Sequence, residues 1–84
     1  MKEKKVGKIE HYYNHLGVAI IKLESGISAG DKIHFLGHTT DFEQKADSLE
    51  LDKKKIEKAK KGDSVGIKID NKVRDHDMVY KVEE

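Results

Sequence analysis

The sequence predicts an all-β domain of about six short strands, and three observations carry that. Apolar residues alternate in short runs, as in GVAIIKL, KIHFL, VGIKI and MVYKV. The chain has no proline, and each of its seven glycines lies at or near a proposed strand end. One segment, Asp52–Lys61, reads as a helix, and it is short.

The 84 residues make one domain with one modest core. A domain of this size buries only about 60% of the surface its unfolded chain exposes, which leaves no room for a deep, enclosed active site. Charged residues are 39% of the chain and hydrophobic ones 36%. Because the apolar residues come in regular runs, this composition reads as a folded core under a charged surface, not as disorder. The net charge of +1 does not mark a nucleic-acid binder by itself. The absence of cysteine excludes a disulfide frame, a thiolate nucleophile and a cysteine zinc site, and fits a cytoplasmic protein. The start, MKEKKVGKIE, lacks the apolar stretch of a secretory leader, and no apolar run approaches the roughly 20 residues of a membrane span.

Read in order, Met1–Lys5 is a charged lead expected to fray, and 6–84 is the domain. Val6–Tyr13 has strand character, and a turn follows from Asn14-His15 to Gly17. In the next strand Ala19, Ile21 and Leu23 share one face, while Val18 and Ile20 share the other. Gly26–Asp31 reads as a loop, followed by a strand with Ile33 and Phe35 alternating against His34. Gly37–Asp41 is expected as a turn into a long strand, Phe42–Asp52. Phe42, Gln44 and Ala46 share one phase of that strand, and Leu49 and Leu51 the other. Since side chains repeat every two residues, a bulge is expected at Asp47-Ser48 to reset the phase. Asp52–Lys61, with Ile56 and Ala59 three apart, a possible Asp N-cap and Gly62 beyond, predicts one short helix. Val65, Ile67 and Ile69 share a strand face, 71–77 is a loop, and Met78, Tyr80 and Val82 share a face of the last strand.

A weak repeat runs through three turns. AGDKI, KGDSV and DHDMV each put an aspartate just ahead of an apolar strand position, with His76 standing where the pattern has glycine. Glycine permits positive φ, and aspartate can bond backbone amides two residues on, so these acids read as turn chemistry.

The series GVAIIKLExG, IxAGDKI, GHTTDFEQ, SLELD, AKKGDSVGIKI and KVRxxDMVYKV resembles the second, β-barrel domain of translation elongation factor Tu and its relatives. The resemblance covers Val6 to Val82. It is nearest to small stand-alone translation elongation factor-like proteins and similar to the C-terminal barrel of collagenase-like peptidases, a group that includes tRNA hydroxylation proteins. The GHTTDFEQ stretch is the more specific to that branch. It implies a closed six-stranded antiparallel barrel. In elongation factor Tu the domain helps hold the aminoacyl end of tRNA, but those pocket residues have no counterpart here, and fold does not carry function.

No phosphate cradle of the form GxxxxGK[ST] is present, so the chain alone is not expected to bind GTP. Asn71-Lys72-Val73-Arg74-Asp75 places its aspartate one residue too late for a guanine-reading NKxD. His11 and His15 would share a helix face and could hold zinc there, but on a strand they lie roughly 13 Å apart and read as surface residues. His38, Thr39, Thr40 and Asp41 contain a base, a nucleophile and an acid. Extended neighbours project to alternate sides, so a structural or ligand-contact role is expected. Lys53, Lys54, Lys55, Lys58, Lys60 and Lys61 form the densest basic segment, with a net charge of +3 once Asp52, Glu57 and Asp63 are counted. That segment reads as a solvated face or as a footprint for RNA phosphates. Tyr12, Tyr13 and Phe42 could add stacking platforms or belong to the core.

The expectation is therefore a monomeric, non-catalytic binding module without cofactor or metal. It would contact tRNA or another RNA, or a translation-related protein, through those lysines with His38, Thr39 and Thr40. The alternative is a protein-interaction domain acting in trans with a collagenase-like peptidase or a tRNA hydroxylation enzyme.

Overall fold

The computed structural model describes residues 2–83 and is all-β and antiparallel, with no helix among those residues. Its ten strands are β1 (Lys2–Tyr13), β2 (Val18–Leu23), β3 (Ile27–Ser28), β4 (Lys32–Leu36), β5 (Asp41–Lys45), β6 (Leu49–Leu51), β7 (Lys54–Ile56), β8 (Lys58–Ala59), β9 (Ser64–Lys68) and β10 (Met78–Glu83). Eight form one sheet in the order β5-β4-β10-β1-β2-β9-β6-β7, and β3 pairs with β8 as a separate ribbon.

The pairing leaves the large sheet open between β5 and β7, so the expected closed six-stranded ring is not what the backbone ladder forms. The sheet still wraps one core. Val6, Ile9, Ala19, Ile21, Ile33, Phe35, Leu49, Val65, Ile67 and Val79 are fully buried within it. The inward faces expected for β2 and β9 are the observed ones. In β10 the inward residue is Val79, while Met78 and Tyr80 lie half-buried on the other face.

The phase of the Asp41–Leu51 stretch resets where the sequence requires, but by a break and not a bulge. Ala46–Ser48 leaves the ladder there, and the chain passes from β4, which β5 pairs, to β9, which β6 pairs. Gln44 spans the gap beside that break. Its Nε2 donates to the Lys68 carbonyl (2.9 Å), and its Oε1 accepts from the Asp70 amide (2.8 Å).

The expected helix over Asp52–Lys61 is not formed. Asp52 and Lys53 have φ of 52° and 66°, the left-handed pair of a tight hairpin turn, and they join β6 to β7. Ile56 faces Leu49 and Ala59 faces Ile27, so the three-residue spacing serves two separate ribbons. A helix here would have had only those two apolar residues to bury. The expected Gly26–Asp31 loop likewise contains β3. The charged lead, expected to fray, is the start of β1, with Lys2 paired to Glu83 and Lys4 to Lys81.

β1 shifts register twice, between Lys5 and Gly7 against β10 and between Ile9 and His11 against β2. These shifts let Val6 and Ile9, three residues apart, both enter the core. Gly7 sits at the first, with β2 so close that a Cβ there would lie 2.3 Å from the Lys22 carbonyl oxygen. Gly7→Ala is therefore expected to destabilise by about 1–3 kcal/mol. Gly66→Ala, whose Cβ would meet side-chain atoms only at 3.5 Å, should be far milder. Urea denaturation of both variants checks this.

Candidate functional site

The GHTTD stretch, the most chemically suggestive in the sequence, does not converge on a reaction centre. Gly37 and Thr40 exchange backbone hydrogen bonds (2.7 and 3.4 Å), making the tight turn between β4 and β5. His38 and Thr39 are exposed at its tip. Thr40 is buried, and its hydroxyl donates to Asp77 Oδ2 at 2.5 Å, across 37 residues of sequence. The same Asp77 oxygen accepts from the Arg74 amide at 2.8 Å. The other carboxylate oxygen lies against Gly37, where a Cβ would come within 1.9 Å of it. Only glycine at position 37 leaves room for the Asp77 carboxylate, and the Thr40 hydroxyl is engaged within the fold. Asp77 was missed as a partner because nothing in sequence links it to Thr40.

The three aspartate turns share one construction. Asp31, Asp63 and Asp77 each accept, on the side chain, the backbone amide three residues earlier: Ser28 (2.8 Å), Lys60 (3.1 Å) and Arg74 (2.8 Å). Each also donates its own amide to that residue's carbonyl. The residue before each aspartate has positive φ: 92° at Gly30, 96° at Gly62 and 74° at His76. His76 therefore takes up the left-handed geometry that glycine takes in the other two turns, a conformation histidine tolerates better than most residues.

The lysine segment is exposed throughout. Lys53 sits at the β6–β7 hairpin tip, Lys54 and Lys55 on β7, Lys58 on β8, and Lys60 and Lys61 in the turn before β9. None of the six forms an ion pair among the described residues. His11, on β1, stacks edge-on with Tyr13 at 4.4 Å, and His15 lies exposed in the following turn. Among the described residues, neither belongs to a cluster of three metal-ligating side chains. Of the aromatics, Phe42 stacks on buried Phe35 at 4.9 Å and Tyr12 packs on the core, whereas Tyr13 is 46% exposed. Tyr13, Leu16, Val18 and Ile20, with Lys53 and Gly66, are among the residues that line a groove of about 320 Å³.

A polar cluster that the sequence did not announce lies on the outer face of β1, β4 and β5. His34 Nδ1 is 2.8 Å from Glu3 Oε1, and its Nε2 is 2.5 Å from Asp41 Oδ1. Glu43, directly across from His34, pairs with Lys32 at 3.0 Å, and the Tyr80 ring lies 6.4 Å from the imidazole. The imidazole side chain is only 13% exposed. The hydrogen bond to Asp41, followed by the Glu3 interactions, raises its pKa above the ordinary 6.5 against the opposing effect of burial. The alternation of His34 with Ile33 and Phe35 put it on the outer face. Its partners, 31 and 7 residues away, came only with the register.

No family model matches the chain. It is 36% identical over 80 residues to an uncharacterized protease of Methanocaldococcus jannaschii and 38% identical over 78 residues to a collagenase of Porphyromonas gingivalis. These matches take in 94% and 90% of this chain, which spans about one fifth of those relatives (20% and 22%). Among solved structures, it superposes on the C-terminal domain of a Geobacillus thermoleovorans protein assigned to the U32 peptidases. The TM-score is 0.88 at 18% identity, over 95% of this chain and 93% of that one. The fold is that of a U32 peptidase C-terminal domain. A selenomethionine form of the same domain gives a TM-score of 0.86. The chain is thus homologous to one segment of a protease and a collagenase, and no helix among its described residues is long and apolar enough to cross a membrane.

Two outcomes follow from this geometry. Thr40→Val leaves the buried Asp77 carboxylate short of a donor and should destabilise by about 1–3 kcal/mol in urea denaturation, while Thr40→Ser retains most of the stability. His34 binds its proton more tightly folded than unfolded. Its contribution is therefore fully present below pH 6.5 and is lost as pH rises through the raised folded value. Wild type should lose stability relative to His34→Gln as pH rises above 6.5. Parallel pH profiles of the two proteins would contradict this.

Proposed function

We propose that this chain is a non-catalytic accessory domain of the collagenase-like peptidase type, working with a peptidase-like body that it contacts through its surface. One observation carries the reading: more than nine tenths of the chain matches only a fifth of a protease, and its fold is that of a domain cut from the end of such a protein. The chemistry agrees. The residues that looked catalytic form a turn, with Thr40 committed to Asp77. Fold likeness alone would not transfer an activity.

A translation-factor-like wrapping of the sheet, its ladder left open between β5 and β7, belongs to the same reading. It is supported by the passage of Asp41–Leu51 from β4 to β9 and by Gln44 spanning the seam. Contact with the partner would run through the exposed lysines Lys53, Lys54, Lys55, Lys58, Lys60 and Lys61, of which Lys53 lines the apolar groove, and through His38 and Thr39 at the β4–β5 turn. The cytoplasm is the compartment the cysteine-free composition favours.

Co-purification with the 84-residue chain, with and without nuclease, tests this. A peptidase-like protein recovered equally in both is expected. Recovery of tRNA or other RNA alone, lost steeply with salt, would replace the accessory role with RNA binding.

A further inference from the structure

We propose that Glu3, His34 and Glu43 form a binding site for a divalent transition ion of the zinc class on the outer face of the sheet. One ligand atom from each of the three lies within 4.8 Å of the others. They come from three strands whose mutual register is fixed by backbone pairing. His34 and Glu43 are direct cross-strand partners on β4 and β5, and Glu3 on β1 reaches over β10 to within 2.8 Å of His34 Nδ1.

The donor set decides the class of ion. Imidazole nitrogen with carboxylate oxygens suits zinc and its neighbours, whereas calcium and magnesium take oxygen ligands alone. Zinc needs donors roughly 2.0–2.2 Å away. Glutamate side chains on an open face can close the remaining spread by changing rotamer. Glu43 bonds Lys32 through Oε1 and keeps a second oxygen for an ion.

Asp41 supplies what three ligands alone would not. At 2.5 Å from Nε2, its carboxylate fixes the ring with Nδ1 turned toward Glu3. A carboxylate on the far nitrogen is the usual means by which a metal-bound imidazole is oriented and made more basic. Three protein ligands leave one position for water or for a group brought by a partner. This inference does not depend on the accessory-domain reading, since the cluster is complete within the chain.

The test is calorimetric titration of zinc chloride into the chelator-treated 84-residue chain in a non-coordinating buffer at fixed pH. One ion per chain is expected, with no comparable uptake of calcium chloride. His34→Gln abolishes binding, and Asp41→Asn, acting only through His34, weakens it roughly 10- to 100-fold. The double variant His11→Gln/His15→Gln binds like wild type. Circular dichroism confirms that each variant is folded. Should His34→Gln fail to fold, the exposed Glu43→Gln takes its place, with lost binding expected. Absence of saturable zinc binding, equal uptake of calcium, or binding indifferent to both Glu43→Gln and Asp41→Asn would overturn the site.

Discussion

The buried carboxylate of Asp77 ties together parts of the sheet that are distant in sequence. It holds the Gly37–Thr40 turn through the Thr40 hydroxyl, the Arg74–Asp77 turn through the Arg74 amide, and it rests on the Cα of Gly37. The Asp77 carbonyl and the His76 amide then bond to Ile9 on β1. Three neighbouring strands, β4, β10 and β1, are thereby indexed against one another at one end of the sheet. A buried carboxylate is costly unless it is hydrogen-bonded, and here hydroxyl and amide donors meet that requirement. The inward phase of Val79, two residues on, follows from where Asp77 is pinned.

Much of this was legible in the sequence, for physical reasons that can be named. Strands buried on one face must alternate, so the core faces of β2 and β9 could be read directly. The aspartate turns were legible as turns because their chemistry is local, though each side chain bonds the amide three residues earlier and not the one two residues on. The break at Ala46–Ser48 was legible as a phase conflict between Ala46 and Leu49, though not as the place where the chain changes neighbours.

The rest depended on register. Spacing alone could not tell that Ile56 and Ala59 answer Leu49 and Ile27 on different ribbons, so the segment looked helical. Nor could it bring Glu3 to His34, or Asp77 to Thr40. The polar cluster that sequence singled out, His38 to Asp41, is divided by the fold. Asp41 turns to His34 and Thr40 to Asp77, and His38 is left at the tip. Residues adjacent in a strand serve opposite faces, so chemical richness along the chain is a poor guide to a site in a β protein.

Gln44 joins β5 to the end of β9 with a side-chain amide that imitates one rung of a β-ladder. A rung of this kind has no neighbours to share its load. The wall of the molecule therefore has a built-in direction of opening. The ladder is open beside Gln44, where β5 is an edge strand of the sheet. On that edge β5 presents Asp41, Glu43 and Lys45 outward, charged residues of the kind that keep an open strand from pairing with another chain.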